Sequence, residues 1–222
     1  MVSDAIINVN GDSVQTLEIL FMLTMLSLLP TILVMTTCFT RYVISFSFLR
    51  TAMGTAAVPP NTVLISMAVI LTLFTMRPTI EDIEQTAYTP YVNGLIGQEE
   101  FLDRATVPLK EFMLDQLEVE ALSIFCQLSG EELPTTREGQ LALPLLVVVS
   151  AFVASELKQA FFIGFCLYIP FMLVDMVVAC TLMSMGMIML PPSLISMPFK
   201  LLLFISIDGW NLMFTSLVRG IS

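Results

Sequence analysis

Four near-uninterrupted apolar runs, at residues 17–39, 63–76, 161–190 and 201–218, decide what this chain can fold into. The third ends in MGMIMLPP at 185–192. More than half of the residues are hydrophobic, mean hydropathy is +0.88 and only 13% of residues are charged. A water-soluble chain of 222 residues has too few polar groups to cover that much apolar surface. Part of its solvent has to be lipid or other subunits. This is a membrane-system protein.

The first run, as a helix rising ~1.5 Å per residue, spans roughly 35 Å and is long enough to cross a bilayer. Arg41 and Arg50 follow it, and Pro59-Pro60-Asn61 then forces a break and offers Asn61 as a helix N-cap. The second run gives only ~21 Å of helix against a hydrocarbon core of ~30 Å. Either its helix begins in the Pro-Pro turn, or the two segments form a hairpin packed inside an assembly. The third run is interrupted by Asp175 and the fourth by Asp208; Pro191-Pro192 and Pro198 bracket the turn between them, with Lys200 at its end. The positive-inside rule places Arg41, Arg50 and Lys200 in the cytoplasm, with both termini and the intervening acidic segment outside; Lys158 and Arg219 are exceptions. Arg41 and Arg50, nine residues apart, fall on opposite helix faces and read as topology determinants. Asp4, Asp12 and Glu18 precede the first run where a secretory signal would carry bases, so the N-terminus reads as retained.

Charge is concentrated in the middle. Residues 77–140 hold thirteen acids and four bases, nearly the whole formal charge of −10. The chain therefore divides into an apolar arm with two hydrophobic helical segments (1–76), an acidic extracytoplasmic domain (77–154) and a C-terminal helical hairpin (155–222). The acidic domain is predicted to be helical. Thr79 and Asp82 resemble a capping box, and Pro108 with Glu111 suits the first turn of a helix. From there Leu109, Phe112, Met113, Leu117, Ala121, Ile124, Phe125 and Leu128 form one apolar stripe at spacings of three and four, ended near Gly130. The fold class is all-α: helical hairpins with an inserted helical acidic domain.

Several chemistries are excluded. There is no histidine, so neither a His-dependent triad nor a His metal site can form. The four cysteines form no CxxC, and no P-loop or GxSxG elbow occurs. Basic patches for nucleic acid are missing. The reading is a non-enzyme with no cofactor and no metal site.

Five stretches carry a resemblance: CFTRYVISFSFLRTAMG (38–54), PPNTVLISMAVILTLFTM (59–76), SELKQAFFIGF (155–165), IPFMLVDMVVACTLMSMGMIMLPP (169–192) and ISMPFKLLLFISIDGW (195–210). PLKEFML (108–114) adds a weaker match. Together, and in this order, they resemble the FliP/SctR family of the type III secretion export apparatus. The resemblance implies a channel-forming subunit that passes unfolded secreted proteins across the bacterial inner membrane, at the flagellar basal body if the system is flagellar. It further implies a helical ring of five copies, joined by FliQ-like and FliR-like subunits and other export-apparatus membrane proteins. Much of that cone stands out of the bilayer plane, which would accommodate the short second run. In the family, consecutive methionines at the tip of the last helical hairpin form the constriction that seals the closed pore. The matching residues here are Met187, Ile188 and Met189, with Met185 just before; the middle one departs from the family's methionine.

On an apolar helix, close-spaced methionines are core filler as readily as a device. A gasket also fits, because unbranched polarizable side chains close irregular holes and hydrophobic constrictions gate by excluding water. Gly186, Pro191 and Pro192 supply the hinge that presents such a loop. Glu156 and Lys200, isolated charges beside apolar runs, either sit in water at helix ends or form an ion pair within or between subunits. Asp175 is a subunit contact, a water-facing group or, in the alternative reading of a small ion-coupled transporter or channel, the titrating site. Phe112 and Phe125 are candidates for packing between neighbouring acidic domains.

Overall fold

The computed structural model describes residues 6–9, 12–55, 57–187 and 189–221, and it is helical nearly throughout. Asp4 and Ile188 lie outside the described residues. Two compact units are present, Met1–Met35 and Thr36–Ser222. In the first, strands β1 (Ile6–Val9) and β2 (Asp12–Gln15) pair antiparallel, Ile6 opposite Gln15 and Val9 opposite Asp12. Helix α1 (Thr16–Thr36) follows, with Pro30 inside it and Leu23, Leu26 and Leu33 exposed.

The second unit opens with an antiparallel pair, α2 (Phe39–Met53) and α3 (Asn61–Thr75). Tyr42 and Thr75 share a 2.6 Å hydroxyl hydrogen bond at one end of the pair. At the other end Arg50 donates to Oδ1 of Asn61. That bond explains why Asn61 does not cap α3, whose N-cap is Pro60. Next come α4 (Arg77–Ile83), a π-helical turn at Glu84–Tyr88 and α5 (Thr89–Val92). No capping box forms at Thr79: α4 already begins at Arg77, with Pro78 in its first turn, and Thr79 is buried.

The acidic segment departs further from its sequence reading. Helix α6 (Gln98–Gln116) begins ten residues ahead of Pro108, which lies inside it. Glu99 and Glu100 supply the first-turn acids that suit a helix start. The single stripe is split, because the backbone extends at Leu117 and Glu118 before α7 (Val119–Ser129). Gly130 ends α7 in the left-handed region, as the stripe suggested. A short α8 (Arg137–Ala142) is capped by the Thr136 hydroxyl, which accepts from the Gly139 N–H.

Helix α9 (Leu145–Ser184) organises the unit. At 40 residues it is about 60 Å long, twice a bilayer's ~30 Å hydrocarbon core. It runs unbroken across the 154/155 boundary. Its first turns bury Val148, Ala151 and Phe152 against Met113 of α6 and Leu122 and Cys126 of α7. Farther along it packs on α2, where Gly164 is required: a Cβ there would lie 2.4 Å from the Phe48 ring. Helices α10 (Pro192–Ser206) and α11 (Gly209–Arg219) complete a second core with α2 and α3, centred on Tyr42, Phe46, Leu49, Phe171, Phe204 and Leu217. They meet at 63°, with Asp208 in the left-handed region at the corner. Pro198, expected in the turn, lies inside α10. Among the described residues α9 is the one helix long and apolar enough to cross a membrane; counting each bent helix pair as one span gives up to four.

Candidate functional site

The methionines sit on a tight helix ending. Met185 is the C-cap of α9, and Gly186 follows at φ +77°. The Gly186 N–H donates to Met183 O at 3.0 Å and the Met187 N–H to Leu182 O at 3.0 Å. These two bonds are the paired closures of a Schellman motif, which places a glycine where a Cβ would be strained. Pro191 is the extended N-cap of α10 and Pro192 its first residue, so the loop is short and bounded on both sides. Met185, Met187 and Met189 are 72%, 45% and 97% exposed. Among the described residues, none buries these side chains in a core.

The buried charges pair differently from the expectation. Glu156 and Lys200 do not meet within the chain. Glu156, on α9, takes both oxygens to Arg41 of α2, with Arg41 Nε at 2.9 Å from Oε2 and Nη2 on Oε1. Arg41 Nη1 also donates to Gly220 O at 3.1 Å. Both side chains are 1% exposed. Guanidinium geometry favours this pair: a planar fork takes both carboxylate oxygens side by side and still reaches a carbonyl, while Lys200 is engaged by Asp175. Arg41 is therefore a core group and not a solvent-facing topology determinant.

Lys200, buried within α10, joins Asp175 instead. Its Nζ lies 2.6 Å from Oδ2 of Asp175 and 3.0 Å from the carbonyl of Ala52, in the last turn of α2. A cation there answers one of the helix's unpaired terminal carbonyls. Ser196 Oγ donates to the other Asp175 oxygen at 2.5 Å. Three helices thus converge on the Lys200 ammonium group, and two of them on the Asp175 carboxylate. Asp175 keeps a side-chain exposure of 35% and Lys200 only 7%. Lys158, an exception to the charge rule, is paired with Glu118 and lies near Glu120.

Phe112 and Phe125 are partly buried within the chain itself. Phe112 meets Phe152 edge-on, with centroids 5.9 Å apart, and Phe125 packs on the same α6–α7–α9 core. Sequence reasoning missed Arg41 as the partner of Glu156 and missed Ser196 altogether. A signal existed for the second: Ser196 and Lys200 are four apart on one face of α10, the spacing that lets both reach one acid on a facing helix.

Comparison with known proteins agrees with the resemblance. The FliP family profile matches residues 22–217. The flagellar biosynthetic protein FliP of Aquifex aeolicus (strain VF5) is 47% identical over 210 residues, covering 95% of this chain and 87% of that protein. The protein of the same name from Bacillus subtilis (strain 168) is 47% identical over 205 residues, 92% of this chain and 91% of its own. That of Caulobacter vibrioides (strain ATCC 19089 / CIP 103742 / CB 15) is 45% identical over 210 residues, with 95% and 78% covered. The matched stretch includes the methionine loop and all the paired side chains of α2, α9 and α10. The chain belongs to the FliP family.

Proposed function

We propose that this chain is a channel-forming subunit of the flagellar protein export gate, passing unfolded secreted proteins across the bacterial inner membrane. The observation that carries the reading is the methionine loop: three exposed methionines held on a closed helix ending at the tip of a hairpin. Apolar side chains left bare by their own chain call for a partner surface, and copies arranged around an axis supply one. Soft thioether side chains gathered at that axis would exclude water and ions and still yield to a passing chain. The relatives' shared name supports flagellar biosynthesis as the setting. Their family resemblance supports a ring of five copies with FliQ-like and FliR-like subunits. Helix α3, 15 residues or about 22 Å long, is too short for the ~30 Å hydrocarbon core. That shortfall suits a helix packed inside such an assembly.

Replacing Met187, Ile188 and Met189 by Ala should widen the closed constriction. The expected result is a several-fold rise in ion conductance of the assembled complex in planar bilayers, with the complex still intact. Unchanged conductance would assign these residues to packing and remove the gate. In the transporter reading Asp175, whose oxygens meet Ser196 and Lys200, is the ion-coupling site. That reading predicts ion movement from this chain alone, lost in Asp175→Asn.

A further inference from the structure

We infer that Asp175, Ser196 and Lys200 are positioning residues for the methionine loop, a clamp that sets the resting width of the constriction. This rests on the gate reading above and assigns to it a part that the loop cannot supply for itself.

The clamp closes the hairpin at a definite height. Asp175 lies about 15 Å along α9 from Met185, and Ser196 stands in the second turn of α10. Among the described residues, the bonds from Ser196 and Lys200 to Asp175 are the polar links between the two arms. Beyond them toward the tip the arms are held weakly. Met176, Val177, Met183, Leu194 and Ile195 are exposed, and Leu182 is the one buried apolar residue past Asp175 on α9. Apolar contact alone is non-directional and permits sliding; a carboxylate held at both oxygens by two donors on one helix face fixes register. Pro198 removes a backbone donor between Ser196 and Lys200, which loosens α10 just where the clamp holds it.

Lys200 extends the device to a third helix. Its bond to the Ala52 carbonyl ties the arm carrying the loop to the end of α2, which is itself locked to α9 by Arg41 and Glu156. The methionine loop is therefore referenced to the rigid α2–α9 pair. Release of the clamp lets α10 move relative to α9 and displaces Met187 and Met189 without touching them.

The test uses the assembled export gate with Cys166 and Cys180 replaced by Ala. Ser196→Ala and Asp175→Asn should each raise closed-state conductance several-fold while the ring still copurifies with its partner subunits. Ser196→Thr keeps the hydroxyl and should stay at the parental level. In Asp175→Cys/Ser196→Cys, leakage should be high with free thiols and should return toward parental when a one-carbon bis-thiosulfonate links them, with the link verified by mass. A purely structural role would not be restored by a covalent bond at this one point. Parental conductance in an assembled Ser196→Ala ring, or equal leakage before and after linking, overturns the clamp. Replacement of Met187 and Met189 by Ala is measured alongside. If it leaks and Ser196→Ala does not, the clamp alone fails; if neither leaks, the gate reading fails and the clamp with it.

Discussion

Arg41 and Glu156 illustrate how a buried ion pair constrains one residue at a time. Moving two charges out of water costs several kcal/mol each, and here the cost is met by a two-point contact and a third bond to Gly220 O. Removing one partner leaves the other buried without compensation. Glu156→Gln or Arg41→Met should therefore lower stability by about 3–5 kcal/mol, read as thermal unfolding of the detergent-solubilised protein. Replacing both, as Arg41→Met with Glu156→Leu, should recover much of that loss, because no isolated charge remains. A double variant as unstable as either single one would contradict this account. The sequence made the oddity of Glu156 visible, since a lone acid beside an apolar run needs a partner. It could not choose among cations far apart in the chain. Arg41 looked like a flanking charge because it stands just after an apolar run, and only the packing of α2 against α9 puts it inside.

At the scale of elements, apolar periodicity located the helices and proline misplaced their ends. Pro30, Pro108, Pro170 and Pro198 all lie within helices. In a membrane-system protein the freed carbonyls are satisfied by neighbouring helices and side chains, so proline is a poor stop signal. Glycine was the better guide. Gly130 and Gly186 both sit in the left-handed region at helix ends, where their lack of a Cβ decides the outcome. Gly186→Ala should force a Cβ into that backbone conformation at a cost of about 1–2 kcal/mol. The expected readout is faster hydrogen exchange at the Met187 amide, whose bond to Leu182 O closes the motif. Retained protection would show that the turn tolerates the side chain and that glycine is there for another reason.

For the whole molecule, the uneven charge argued from composition meets the paired charges of the fold. The topology reading counted Arg41, Arg50 and Lys200 as cytoplasmic, yet Arg41 and Lys200 are spent inside the chain, and Lys158 is matched by Glu118. A cation neutralised in its own fold has less pull on orientation than a free one. Lys158 then carries less weight as an exception, and Arg50, next to the α2–α3 turn, becomes the expected cytoplasmic determinant. Opposite it stands a segment of net charge −9, from Arg77 to Gln140, whose surface is rich in exposed carboxylates such as Glu99. An arrangement with that segment outside and Arg50 inside is the expectation to test. A cysteine at position 99, with Cys166 and Cys180 replaced, should be modified by a membrane-impermeant maleimide applied to spheroplasts. One at position 61, beside Arg50, should react only in inverted vesicles. The reverse pattern would turn the chain over in the membrane and put the acidic domain on the side from which substrate arrives. The methionine loop would then meet an incoming chain after that domain and not before it.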